Sequence, residues 1–286
     1  MRLRSVRRRQ VGDLLAKICS CVAGATGVLA LFWILASVVI RGVSAFNLAL
    51  FTRLPTPPGV EGGGLANAIV GSLVITVLAA AIAVPIGLMA GIYLAEFNRR
   101  GAFSVVVRFV CNTLVGIPSI VVGVFVYGAL VVTTGHFSGY AASCALAVIM
   151  LPIVVRTTED VLVLVPDSLR ESALALGAPR WKVTFQIVFR SARAGLITGI
   201  LLATARVSGE TAPLLFTALN SPFWPSLSLA SPTANLPVTI FSYAMSPFAD
   251  WNRLAWAAAL LITLGVLAVN VVARAVFRTQ RRGAHE

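Results

Sequence analysis

Between Arg108 and Arg156 lie 47 residues without an Asp, Glu, Lys or Arg. Few constraints on a fold are stronger. A membrane-spanning helix needs about 20 apolar residues, so this run is too long for one crossing and suits two. The polar turn Thr133-Thr134-Gly135-His136-Phe137-Ser138-Gly139 divides it. A second run, Gly62 to Ala95, is also free of charge, and Ile18 to Ile40 adds 23 uncharged residues. Hydrophobic residues make up 58% of the chain and charged residues 12%, with mean hydropathy +0.91. A soluble domain averages about 25% charged residues, so the chain is an integral membrane protein.

The expected fold is all-α, with six transmembrane helices. Residues 1–17 form a basic N-terminus carrying Arg2, Arg4, Arg7, Arg8, Arg9 and Lys17, and residues 18–40 form the first span. That span is too long for a signal-peptide core and reads as retained. Residues 41–66 are rich in Pro and Gly and read as an external loop. The second span covers roughly 68–94 and contains Pro85, with Gly87 and Gly91 in the G-x-x-x-G spacing that permits close helix packing. Spans three and four share residues 109–155, with Pro118 and Pro152 inside them. A cytoplasmic loop follows at 156–193, a fifth span at about 194–215, an external segment at 218–252 and a sixth span at about 254–273. The core runs from 67 to 276, and residues 277–286 are a cytoplasmic tail.

The net charge of +13 could suggest a nucleic-acid partner in a soluble protein. Here the basic residues flank apolar runs. Three external segments hold only Arg41, Arg53 and Arg253, which predicts both termini in the cytoplasm by the positive-inside rule. The partner implied is a lipid bilayer, with no nucleic acid. The four cysteines, Cys19, Cys21, Cys111 and Cys144, lie in or near apolar segments away from any histidine cluster, and read as packing residues.

Two stretches carry chemistry. Pro166-Asp167-Ser168-Leu169-Arg170-Glu171 reads as a helix start, with Ser168 and Glu171 at capping-box spacing. Gly177 then suits a left-handed turn and Pro179 the opening of a second helix. The apolar residues Ala173, Leu174, Leu176, Trp181, Phe185 and Val188 call for a partner surface, which could be lipid headgroups or another protein. Further on, Arg206 and Glu210 fall at i and i+4 within the expected fifth span. A charge near a helix centre costs about 2.5–3.5 kcal/mol on insertion scales, so such residues point to function. The plain reading is that they neutralise each other and hold the bundle together. The functional reading is an anion at Arg206, whose planar fork suits tetrahedral oxyanions, with Glu210 holding the guanidinium. Arg156 is either a positive-inside anchor or a second positive group at the cytoplasmic mouth.

The spacing Glu171-Ser172-Ala173, three residues, Gly177, nine residues, Ile187 resembles the EAA loop of ABC-importer permeases. It departs at Ser172, where the family has Ala, and at Phe189-Arg190, where it usually has Leu-Pro. The run Ala205-Arg206-Val207-Ser208-Gly209-Glu210-Thr211-Ala212-Pro213-Leu214-Leu215 resembles the PstA-type phosphate permeases. The resemblance covers roughly residues 65–280. It implies a MetI-like six-helix bundle in the cytoplasmic (inner) membrane and a heterodimer with a PstC-type permease. It also implies two copies of a PstB-type ATPase docked on Glu171, Ser172, Ala173, Gly177 and Ile187, and an external phosphate-binding protein. The family links residues matching Arg156, Arg206 and Glu210 to transport. No G-x-x-x-x-G-K-[ST] sequence is present, so no cofactor is expected on this chain and ATP belongs to the partner. A sulfate-like oxyanion as substrate stays open on the residues alone. So does an ion-coupled secondary transporter using Glu210 as a proton relay. An intramembrane enzyme lacks a recognisable catalytic constellation.

Overall fold

The computed structural model describes residues 2–60, 62–99, 101–225 and 229–282, with side chains from 10 to 275. Helix α1 spans Arg2–Val43, α2 Leu48–Thr52, α3 Ala66–Phe97, α4 Ala102–Gly116, α5 Ser119–Thr134 and α6 Gly139–Val163. After these come α7, Asp167–Ala175; α8, Arg180–Val207; α9, Ala212–Thr217; α10, Leu236–Ala244; and α11, Ala249–Arg282. No strand occurs among the described residues. Five helices are long and apolar enough to cross a membrane, and the bent pair α4–α5 makes a sixth crossing if counted as one.

The centre of the bundle is α3 against α6, with α8 alongside. Ile75, Ala79 and Ala83 of α3 meet Ala142, Leu146, Met150 and Val154 of α6 and Ala203 and Val207 of α8 in one buried cluster. Small residues make this approach close. A Cβ on Gly87 would lie 2.7 Å from Val154, and one on Gly91 would lie 2.5 Å from Thr158. The G-x-x-x-G spacing thus marks a real contact. A second pair, Gly195 and Gly199 of α8, faces Val161 and Thr157 on a neighbouring stripe of α6. In lipid, where apolar burial between helices gains little, such dispersion-driven contact is a main source of helix association.

Pro118 departs from expectation. It is not inside a helix but breaks one, and the chain bends by 102° between α4 and α5. Proline disfavours helical backbone in the residue before it, and Ile117 is accordingly extended, with φ −74° and ψ 132°. Pro85 and Pro152 do lie within α3 and α6. The turn read at 133–139 forms over the shorter stretch 135–138, because Thr133 and Thr134 end α5 and Gly139 opens α6; left-handed Gly135 (φ +76°) closes it, and the Ser138 hydroxyl accepts from the Ala141 N–H at 3.1 Å.

Helix α1 is exposed along most of its length and meets the bundle near its C-terminal end. There the Arg41 guanidinium lies 5.0 Å from the centre of the Trp256 ring. The segment read as external at 218–252 is partly built into the bundle. Within it, α10 buries Leu236, Val238 and Thr239, and Tyr243 turns inward to stack on Trp251 at 4.4 Å. Phe223, Trp224 and Phe241 remain exposed. The side chains of Arg2, Arg4, Arg7, Arg8, Arg9, Arg278, Arg281 and Arg282, and all of Arg100 and residues 283–286, lie outside what is described.

Candidate translocation and docking sites

Helix α8 ends at Val207 and does not continue to residue 215. Gly209 and Pro213 explain the stop: glycine weakens a helix interior, and proline lacks the backbone donor that a continuous helix would need there but is tolerated in the first turn of a new one. The chain turns at 208–211 and restarts in α9, with Pro213 in its first turn. Arg206 is therefore in the last turn of α8, not mid-helix, and Glu210 lies beyond the helix, so the i,i+4 relation does not apply. The two side chains form no ion pair or hydrogen bond among the described residues. They instead border one cavity of about 130 Å³, whose other walls include Leu114, Ile117 and Ser119 at the α4–α5 bend, and Ile149 and Ile153 of α6. A free guanidinium and a free carboxylate on a mainly apolar wall can take a small ion that carries both acceptors and donors.

Arg156 does not line that cavity. It lies within α6, where its Nη1 is 3.7 Å from Glu159 Oε2 and its Nε 3.4 Å from Asp160 Oδ1. Glu159 is buried, and its other oxygen accepts from Arg108 Nε at 2.7 Å. Arg108, which bounds the 47-residue charge-free run, sits on α4 and reaches across to α6; its Nη2 also donates to the Leu94 carbonyl at 3.4 Å. Arg108 and Glu159 are thus members of a charge cluster that sequence spacing did not reveal, since 51 residues separate them.

The chain between α6 and α8 is shorter than the expected loop, because 156–163 completes α6 and 180–193 belongs to α8. Helix α7 begins at Asp167 with Pro166 at its N-cap, and no side chain caps it. The capping box is absent because Ser168 already lies inside the first turn; the Ser172 hydroxyl donates to the Ser168 carbonyl instead. The C-terminus forms as read. Gly177 adopts φ +82°, the Gly177 N–H donates to Leu174 O at 2.9 Å, and the Ala178 N–H donates to Ala173 O at 3.2 Å. This double closure is a Schellman motif.

The docking set divides by direction. Ala173 is buried and Ile187 half-buried, both in a cluster with Ile92, Leu162, Val183 and Leu196. Glu171, Ser172 and Gly177 face outward, beside Leu174, Trp181 and Phe185. Leu176 is the most exposed of these apolar side chains, at 89%. Inside the loop, Arg170 is buried and bound to Glu96 at 2.7 Å. This contact raises the guanidinium pKa above its ordinary value, with burial opposing. Glu96 carried one visible signal, since it closes the 34-residue uncharged run that begins at Gly62.

Five apolar helices with a bent pair that can make a sixth crossing, a helical loop with an exposed apolar face, and a cavity bordered by a guanidinium and a carboxylate are the parts of a membrane permease. The chain belongs to the family of binding-protein-dependent transport system inner membrane components, whose profile matches residues 83–282. Similar proteins include the phosphate transport system permease protein PstA of Yersinia pestis, 51% identical over 96% of this chain and 92% of that protein. The PstA of Pasteurella multocida is 48% identical over 94% of this chain and 95% of its own length. Among solved structures, a chain of the MetNI methionine ABC transporter in an inward-facing conformation superposes with a TM-score of 0.60 at 20% identity. The match covers 74% of this chain and 95% of that one, and it fixes the fold as MetI-like. The chain is a multi-pass permease subunit of an ABC importer and not an enzyme; a separate ATPase and a permease partner complete such an importer.

Proposed function

We propose that this permease imports inorganic phosphate across the cytoplasmic (inner) membrane, with both termini on the cytoplasmic side. It would form half of a pathway whose other half is a PstC-type permease. Two copies of a PstB-type ATPase hold the ATP, and an external phosphate-binding protein delivers the anion. The observation that carries the reading is the cavity where the Arg206 and Glu210 side chains have no partner among the described residues. An arginine fork offers parallel donors to two oxyanion oxygens. Phosphate near neutral pH keeps at least one P–OH donor for a carboxylate such as Glu210, whereas sulfate has none. The named relatives are phosphate permeases, which supports the same substrate. Arg156, held by Glu159 and Asp160, would act as a further positive group along the way. ATP-driven closure of the ATPases would act on Glu171, Ser172 and Gly177, with Ala173 and Ile187 anchoring the loop to the bundle, and would switch the pathway from outward-open to inward-open.

Uptake of labelled phosphate at micromolar concentration, in cells lacking the gene and in cells given it back, tests this. Restored uptake that Arg206→Gln removes and excess sulfate leaves alone is the expected result. Uptake that is restored but indifferent to Arg206→Gln would return the cavity charges to a structural role. No restoration would overturn phosphate as substrate. Uptake that survives ATP depletion and collapses with the proton gradient would favour Glu210 as a relay in an ion-coupled transporter.

A further inference from the structure

Arg170 sits where three elements end together. Its Nη2 donates to Glu96 Oε1 at 2.7 Å, and its Nε lies 3.2 Å from both carboxylate oxygens. The same Nη2 donates to the Leu162 carbonyl at 2.8 Å, while Nη1 donates to the Val165 carbonyl and to Asp167 Oδ1 at 3.0 Å. Only 11% of the Arg170 side chain and 7% of the Glu96 side chain are exposed. Glu96 belongs to the final π turn of α3, Leu162 to the last turn of α6, and Asp167 opens α7. Asp167 is also 3.4 Å from Arg99 Nη1, and Arg99 Nε donates back to the Ala95 carbonyl at 2.6 Å.

Apolar contact alone would seat the loop on the bundle: Ala173, Val165 and Val183 already share a buried cluster with Ile92 and Leu162. A buried ion pair is a poor way to gain stability, because desolvation offsets most of the attraction. What a bidentate guanidinium–carboxylate contact adds is fixed distance and orientation. On its other side α7 reaches α8 through left-handed Gly177 and through the apolar cluster that Ala173 shares with Val183 and Val188. A displacement of the exposed face of α7 is therefore passed to α3 and α6 through a directional ionic contact, and to α8 through the turn and apolar packing.

We propose that Arg170 and Glu96 are positioning residues that carry movement of the docking loop into the α3–α6 pair, so that transport stroke and loop displacement stay coupled. This rests on the reading of residues 166–190 as the ATPase-docking element. Those same two helices are locked together by Gly87 and Gly91, and α6 contributes Ile149 and Ile153 to the wall of the Arg206 cavity. A path of packed groups thus joins the loop to the cavity without passing through α8.

The test uses the assembled transporter in native membrane vesicles, with Glu96→Gln and Arg170→Lys. Retention of the ATPase subunit on purification, ATP hydrolysis and phosphate uptake are measured on each. Both variants are expected to keep the ATPase bound and hydrolysis near the wild-type rate, while uptake per ATP falls about tenfold, within the usual range of coupling between sites. Arg170→Lys keeps the charge and can still meet the carbonyls, so it decides the matter if Glu96→Gln fails to accumulate. Uptake and hydrolysis falling in parallel, or uptake per ATP unchanged, would overturn the coupling role. Failure of the docking reading shows separately: ATPase retention would then be indifferent to Leu176→Asp and Trp181→Asp on the outward face.

Discussion

Arg108 of α4 holds Glu159 of α6 at 2.7 Å, and the second oxygen of Glu159 lies 3.7 Å from Arg156. One buried carboxylate thus joins two arginines from different helices. Removing one partner of a buried pair strands the other, at about 3–5 kcal/mol. Because Arg156 remains for Glu159, Arg108→Leu should fall at the low end, about 3 kcal/mol. The double replacement Arg108→Leu/Glu159→Leu should recover most of that loss. Thermal unfolding of the purified protein in detergent checks both values. A double variant no better than the single one would show that the pair itself adds net stability.

Arg206 has the opposite profile, since it forms no ion pair or hydrogen bond within the described chain. Arg206→Gln should leave the melting temperature of the assembled transporter unchanged and still abolish uptake. Arg206→Lys should retain part of it, because a point charge attracts an anion but cannot offer the two parallel donors of a guanidinium. A marked loss of thermal stability with Arg206→Gln would show that the residue holds the bundle together after all.

Gly177 is a conformational requirement rather than a steric one, at φ +82° with open space around it. Gly177→Val should destabilise α7 by about 1–2 kcal/mol, the strain of a left-handed residue with a Cβ. Asn and Asp enter that region more readily. Gly177→Asp should therefore preserve folding and membrane insertion, and reduce ATP-coupled uptake by placing a charge on the docking face. Normal transport by the Gly177→Asp protein would remove the residue from the docking role.

Gly87 and Gly91 set the separation of α3 and α6. Gly87→Leu or Gly91→Val should cost about 1–3 kcal/mol each through overpacking, visible as a lower melting temperature. Gly128→Ala, where nothing lies within 4 Å of a new Cβ, serves as the neutral comparison.

The crossings were readable from the chain because a bilayer demands long apolar runs, and the runs are bounded by arginines. The left-handed turn at Gly177 and the close packing at Gly87 and Gly91 were readable too, since each depends on a residue type at a fixed spacing, though not which helix the glycines meet. Two breaks were not. Pro118 interrupts a helix where hydropathy stays high, and a uniform apolar run has no internal boundary. The polar turn Ser208-Gly209-Glu210-Thr211 lies between two apolar segments that together have the length of one span. The pair Glu96–Arg170 spans 74 residues. Such a contact depends on where α3 and α6 end in space, which no local pattern encodes. Arg206 and Glu210 were found as charges out of place, but their mutual geometry was misjudged because their spacing was measured along a helix that stops between them.

The elbow at Pro118 shapes the Arg206 cavity. Leu114 and Val115 come from one arm, Ser119 and Val122 from the other, and Ile117 from the corner itself. Across from them stand Arg206, Glu210, Ile149 and Ile153. The chain bends by 102° at the joint, and that bend sets the width of the space, in the way that the hinge of a pair of dividers sets a span. A few degrees at the joint would widen or close the space in front of the arginine while the arginine itself stayed still.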